Sequence, residues 1–331
     1  MHCNQPRLFV GAVLSALYAL SALAPARAQS SLAIHGMVDL GILRGFDGVA
    51  QVGTIQRSNV AITGVEDLGN GVQAVFRLST RVEIDTGVSE GPGVKPFWHD
   101  ESTVGLRGAW GTVRAGRAMT AMWANDWKFD PWANFNRIAS PAWQHWHYLT
   151  PSDPFANNGT AEYGRLNNGI FYDSPAVGGV TVRLSGSPER QSALGGTRRP
   201  LSAVLEYGKD AVAAMAAFER NSIGDRNTFV AGKYTVGAAA VMAAWDDSRQ
   251  LATGGRSLST TVSATYRVAP AIVLKGGVSR QRLNGDANRF AGAGADFALS
   301  RRTTLYVSAG RQWDAPWSPH ASFGLGMAHV Y

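Results

Sequence analysis

Through segment after segment of this chain, apolar and polar residues exchange places at every step. A repeat of two is satisfied by β-strands, whose successive side chains point to opposite faces. Residues 72–85 place Val72, Ala74, Phe76, Leu78, Val82 and Ile84 on one face. Gln73, Arg77, Ser79, Arg81, Glu83 and Asp85 take the other, with Val75 out of step. Residues 257–267 set Leu258, Val262, Ala264 and Tyr266 against Ser259, Thr261, Ser263, Thr265 and Arg267. Residues 101–108 set Val104 and Leu106 against Glu101, Thr103 and Arg107. Beyond the first 28 residues, no long segment holds the i, i+3, i+4, i+7 spacing of an amphipathic helix.

Turn residues divide the alternation into strands near 32–44, 55–65, 72–84, 101–110, 112–118, 164–174, 179–186, 201–208, 211–219, 227–235, 238–245, 257–267, 272–280, 288–298, 303–311 and 320–331. Sixteen is an even number, as bacterial single-chain membrane barrels require. Short turns such as 67–71, 110–111 and 208–210 alternate with longer stretches such as 187–200 and 246–256. Alternation alone does not separate a soluble sandwich from a membrane barrel, because both have one apolar and one polar face. Composition narrows the choice. Only 17% of the 331 residues are charged, 45% are hydrophobic and 38 are glycine. Averaging an apolar lipid face with a polar lumen gives such low charge at near-neutral hydropathy. A polytopic helical protein would need several apolar runs of ~20 residues.

The two ends point the same way. Residues 1–28 read as a secretory signal peptide: Arg7, an uncharged apolar run from Leu8 to Leu23, then Ala26-Arg27-Ala28 before Gln29. Cys3, the single cysteine, lies inside that segment, so the 29–331 domain has neither a disulfide nor a cysteine metal site. Without Arg7 and Arg27, 29 basic residues face 24 acidic ones, a formal charge of +5. That is far from a nucleic-acid-binding balance. At the other end Phe323, Leu325, Met327, His329 and Tyr331 alternate with small residues, a strand that runs to the last residue. Such a strand must pair with the first if a barrel is to close.

One connection, 119–163, is too long for an unstructured loop. It carries Trp123, Trp127, Phe129, Trp132, Phe135, Trp143, Trp146, Tyr148 and Phe155, with Asp126, Asp130, Asp153 and Glu162. A segment this aromatic buries its rings, and folding inward against the barrel wall is the economical placement.

Ordered motifs along nearly the whole of 29–331 resemble the trimeric general-diffusion porins of Gram-negative outer membranes. SLAIHGMVDLGI (31–42) looks like their first strand and RSNVAITGVEDLGNGVQAVFRL (57–78) like their second hairpin. STVGLRGAWGTVRAGR (102–117), NNGIFYDSPAVGGVTV (167–182) and LSRRTTLYVSAG (299–310) match later landmarks. The resemblance implies an all-β fold, a sixteen-stranded antiparallel barrel assembled as a homotrimer in outer-membrane lipid. It implies passive diffusion of small hydrophilic solutes and ions, with 119–163 as the constriction loop. The chain departs from the family where it ends in Tyr331 rather than phenylalanine, and at Ala328 and Val330, often arginine in close relatives.

A pore needs a limiting cross-section and a fixed field, not a reaction centre or cofactor. Strand parity turns Arg57, Arg77, Arg81, Arg107, Arg114 and Arg183 toward the lumen, while Arg117 and Arg165 flank the long loop. By resemblance to the anion-selective branch, Arg57 and Arg165 match a basic pore wall, and Glu101 stands at the corresponding position on the fourth strand. Asp126 and Asp130 are the expected acidic partners on the loop. The resulting expectation is a channel of weak anion preference. A channel selective for small organic acids or sugars is the alternative, motivated by the tryptophans. A barrel hydrolase would need serine and histidine together on one rim, and the seven histidines show no such spacing. His145-Trp146-His147 reads as exposed histidines on an aromatic loop rather than as metal ligands, and Gly292-Ala293-Gly294 precedes no helix that could cradle phosphate.

Overall fold

The computed structural model describes residues 30–90, 95–149, 164–189, 197–313 and 320–331. The expected signal segment 1–28 and the 150–163 end of the long loop lie outside the described residues. Alternation becomes strand where it was expected: β1 (Ser31–Arg44), β2 (Ala50–Gly53), β3 (Asn59–Gly69), β4 (Val72–Arg81), β5 (Glu101–Gly108), β6 (Gly111–Met119), β7 (Arg165–Asp173), β8 (Val180–Gly186), β9 (Leu201–Lys209), β10 (Val212–Arg220), β11 (Arg226–Val236), β12 (Ala239–Arg249), β13 (Arg256–Ala269), β14 (Ile272–Leu283), β15 (Asp286–Ala298), β16 (Thr303–Trp313) and β17 (His320–Val330). From β3 onward each strand pairs antiparallel with the next, and β17 returns to β1, from Met37 opposite Val330 to Arg44 opposite Phe323. No helix among the described residues is long and apolar enough to cross a membrane.

Seventeen runs build a sixteen-strand wall because β2 and β3 share one edge of β1. β3 covers 31–37 of β1, β2 covers 41–44, and residues 54–58 leave the ladder between them. The expected strand 55–65 therefore begins at Asn59 instead. Ile55 is fully buried in a cluster with Leu43, Ile138 and Tyr306, and that packing pulls the backbone out of line. Asp39, buried opposite the break, replaces the missing ladder bonds. Its Oδ1 accepts from the backbone N–H of Ile55 at 2.9 Å and of Gln56 at 2.7 Å. The Tyr306 hydroxyl donates to Oδ2 at 2.5 Å, and the Asp39 N–H donates to Ser58 Oγ at 2.9 Å. A second boundary also moves: β12 and β13 stay paired as far as Arg249 opposite Arg256, so the expected long connection 246–256 shrinks to 250–255.

The two faces of the wall differ as a membrane requires. One exposes a band including Ile34, Val104, Ile170, Leu205, Val230, Val262, Val278, Val307 and Leu325. On the opposite face the long loop makes its contacts. Its Ala121 and Met122 N–H groups donate to Ser185 and Ser202 at 2.9 and 3.1 Å. Trp146 Nε1 donates to Thr261 Oγ1 at 2.9 Å, and Asn136 Nδ2 to Ser308 Oγ at 2.9 Å. Met122, Phe129, Ala142 and Trp146 pack on Met215, Phe229 and Ala244. Two glycines permit the closest approach: a side chain at Gly292 or Gly310 would collide with the backbone carbonyl of Ala139 or Ile138. Within the loop, Pro141–His145 forms one helical turn (α1), with proline in its first turn and Ser140 Oγ accepting from Trp143 N–H.

Asp39→Ala strips the acceptor from two buried backbone donors and from Tyr306. The expected loss is roughly 2–5 kcal/mol, because unsatisfied buried groups cost about 1–3 kcal/mol each. A drop in the urea midpoint of the folded barrel, followed by heat-modifiable gel mobility, would show it; an unchanged midpoint would deny Asp39 this role.

Candidate pore constriction

A cavity of about 1240 Å³ is lined by β3–β6 on one side and by the long loop on the other. On β4, Arg77 and Arg81 share a face, four residues apart. Glu101 opens β5 between two of the wall's guanidiniums: Arg77 Nε lies 3.2 Å from Oε2 and Arg114 Nη1 2.5 Å from Oε1. Arg114 also reaches Asp173 at 3.5 Å. Higher on the wall, Glu90 gathers three: Arg57 at 3.3 Å, Arg81 at 3.6 Å and the loop's Arg137 at 3.3 Å. Arg137 pairs with Glu83 as well, at 2.6 Å. Burial opposes the Arg137 charge, but Glu83 and Glu90 more than offset this and raise its affinity for the proton. The α1 turn sets Trp143 beneath this group, with the Arg57 guanidinium 4.8 Å and that of Arg137 5.8 Å from its ring centroid.

Of the residues expected at a constriction, Arg57, Arg77, Arg81, Glu101, Arg114 and Asp126 line this one cavity. Arg165, Arg117 and Asp130 are not among its lining residues. Arg165, the first residue of β7, is buried, its Nε donating to the Asp100 carbonyl at 2.7 Å and its Nη2 paired with the Asp100 carboxylate. Arg117 donates to the His99 carbonyl and to Asn167 Oδ1, both at 2.7 Å. Asp130 turns back into its own loop, accepting from the N–H groups of Trp132 and Asn134 and from Ser140 Oγ at 2.9–3.0 Å. Burial pushes the Asp130 carboxyl up to about 6.

The ion pairs of the arginine wall thus run to Glu83, Glu90, Asp100 and Glu101 rather than to Asp126 and Asp130. Glu83 was readable by parity. Glu90 and Asp100 lie in the connection after β4, and Arg137 in the long loop, where no periodicity ranks one polar residue above another.

His145 and His147, expected to be exposed, are buried. His145 Nδ1 lies 2.7 Å from Ser279 Oγ, and burial alone lowers its proton affinity to about 4. His147 Nε2 lies 2.8 Å from Asp126 Oδ2, and Nδ1 lies 2.6 Å from Asp246 Oδ2 and 2.6 Å from the Asn227 side-chain amide. Its backbone N–H donates to Asp246 Oδ1 at 3.1 Å, and the Trp123 ring covers it at 4.7 Å. Desolvation disfavours the imidazolium, yet Asp246 and Asp126 prevail and push its pKa up to about 10. One cation thereby ties a loop carboxylate to a β12 carboxylate. The cavity lining then holds five arginines and the His147 imidazolium against Glu83, Glu90, Asp100, Glu101 and Asp126. The charges are close to balanced.

A closed sixteen-strand wall, apolar outside, with a charge-lined cavity on its other face, defines an outer-membrane pore protein. The model of the Gram-negative porin family matches residues 14–313, and the chain belongs to that family. It is 26% identical over 324 residues to the major outer membrane protein P.IB of Neisseria lactamica, covering 86% of this chain and 89% of that protein. A shorter stretch of 83 residues, 25% of this chain and 20% of the relative, is 37% identical to the major outer membrane protein P.IA of Neisseria meningitidis serogroup C. Among solved structures, an anion-selective porin from Comamonas acidovorans superposes with a TM-score of 0.77 at 20% identity, covering 92% of this chain and 100% of that one. A loop-deletion form of OmpT from Vibrio cholerae gives 0.69 at 13% identity, covering 91% and 99%. The chain is a Gram-negative outer-membrane channel for passive diffusion of small solutes.

The His147 tie has a pH signature. Its folded-state pKa is raised, so the imidazolium's contribution is complete below the free value of 6.5 and is lost as pH rises toward about 10. Open-channel current noise in planar bilayers is expected to grow across that window, and His147→Gln should show the noisier trace already at pH 6. Equal noise for both proteins at every pH would remove His147 as an anchor.

Proposed function

We propose that this channel passes small hydrophilic ions and solutes with a weak preference for anions, and that the 119–163 loop narrows it. The observation that carries the reading is the near-balanced lining, in which Glu101 lies between Arg77 and Arg114 and offsets part of the field of the arginine wall. A wall of guanidiniums without such carboxylates would select anions strongly, because arginine keeps its charge at any working pH. The hydrogen bonds from the loop to Ser185, Ser202, Thr261 and Ser308, on the face opposite the apolar band, support its placement in the lumen. The similar porin from Comamonas acidovorans is anion-selective, which agrees with the direction. The working unit is a homotrimer, in keeping with the trimer form described for Vibrio cholerae OmpT, and residues 1–28 direct export.

A narrower specificity, for small organic acids, draws on one further observation. The Trp143 ring lies within 6 Å of two guanidiniums at the cavity surface, where a planar carboxylate could meet cation and ring together.

Reversal potentials in a salt gradient test the charge balance. Glu101→Gln should raise the anion-to-cation permeability ratio about two- to fivefold and Arg57→Ala should lower it similarly, since a unit charge a few ångströms from an ion in water is worth about 1 kcal/mol. Cation preference in the unsubstituted channel, or no shift with either substitution, would overturn this assignment.

A further inference from the structure

The wall charges alternate in sign. Arg77 of β4 lies 3.2 Å from Glu101 of β5, which lies 2.5 Å from Arg114 of β6. The row continues through Asp173 of β7 at 3.5 Å, Arg183 of β8 at 2.8 Å and Glu206 of β9 at 3.2 Å. Beside Trp143 a second group alternates as well: Arg57 meets Glu90 at 3.3 Å, Glu90 meets Arg137 at 3.3 Å, and Arg137 meets Glu83 at 2.6 Å. An anion beside such a row gains at each arginine and loses at the neighbouring carboxylate, and a cation does the reverse. A solute that carries both charges gains at both.

The group at Trp143 has capacity left for such a solute. Arg57 reaches Glu90 through Nε, and among the described residues its two Nη nitrogens make no hydrogen bond. Glu83 meets only Arg137 through its carboxylate among the described residues, and a carboxylate has about four acceptor sites. The Arg57 guanidinium lies 4.8 Å from the Trp143 ring centroid, and Trp127 and Tyr148, 42% and 54% exposed, line the same cavity. At about 1240 Å³ that cavity is well above the ~300 Å³ at which small-molecule sites begin.

Neighbouring charges in this group are 2.6–3.3 Å apart. In an α-amino acid one tetrahedral carbon holds the ammonium nitrogen and the carboxyl carbon about 2.5 Å apart. Its head can therefore dock antiparallel on an arginine–glutamate pair, carboxylate on guanidinium and ammonium on carboxylate. An aromatic side chain then has rings to meet, and the ammonium gains further beside a ring face.

We propose that the group around Trp143 binds α-amino acids with aromatic side chains in transit, the carboxylate on Arg57, the ammonium on Glu83 and Glu90, and the ring on the indole. The proposal rests on the near-balanced lining argued above and narrows it. The ring and guanidiniums that suit an organic acid stand beside two carboxylates, which repel an acid that brings no cation.

Occlusion of single-channel current in planar bilayers, at about 0.1 M salt and neutral pH, reads the site. The probes are L-tryptophan, indole-3-propionate without the ammonium, tryptamine without the carboxylate, and glycine without the ring. Tryptophan should occlude at a concentration about fivefold or more below each of the others, the worth of one charge or one stacked ring. Glu83→Gln should weaken tryptophan about fivefold and strengthen indole-3-propionate, a change of opposite sign that a merely structural role would not give. Trp143→Leu should weaken both indole solutes and leave glycine as it was. Equal occlusion by tryptophan and indole-3-propionate, or by tryptophan and glycine, would overturn the proposal without recourse to any variant. So would Glu83→Gln acting alike on both indole solutes. Reversal potentials on the same channels keep the two readings apart: weak anion preference without tryptophan occlusion overturns this proposal alone, and cation preference overturns the charge-balance reading on which it rests.

Discussion

In hydrocarbon no water is available to a backbone N–H or C=O, so each must find its partner within the protein, and for strands only a closed ladder achieves this. The β1–β17 seam is where that condition is met, since without it two edges would be left open. Even strand number follows, because first and last strands of a meander can pair antiparallel only if they run in opposite directions. The break at 54–58 shows how firmly the condition holds. Where packing of Ile55 pulls the chain off β1, Asp39 and Ser58 take over the hydrogen bonds the ladder has lost.

The long loop packs on the polar-parity face of the wall. The loop needs anchors on distant strands, and it has three kinds. Hydroxyls on the polar parity accept its donors, glycines on β15 and β16 admit its backbone, and His147 joins Asp126 to Asp246. These anchors hold Trp143 and Arg137 against the wall arginines. The arrangement of charge around the cavity therefore depends on how the loop is anchored as well as on the wall itself.

The architecture was legible in the sequence because a period of two is a local property. Alternation located fifteen wall strands to within a few residues and missed only the break that splits the sixteenth. Parity also found Arg77, Arg81 and Arg114 on the cavity side. It could not find Glu90 or Arg137, which lie in connections without periodicity, nor tell that Asp130 would spend its acceptors on its own loop. The paired histidines misled for the same reason: polarity suggests exposure, and only a neighbouring carboxylate on another strand makes a buried imidazolium tolerable.

Sequence by itself determined the strand count, the sidedness of the wall and which strand-borne charges share the polar parity, all consequences of pleat geometry. Tertiary structure alone decided which charges neutralise which. Glu101 pairs with Arg77 and Arg114, Glu90 with Arg57, Arg81 and Arg137, and Asp126 with His147 because strand register and loop docking bring together residues far apart in the chain. Net charge is a sum over residues, but the field in a pore depends on distances of a few ångströms, and those exist only once the barrel has closed.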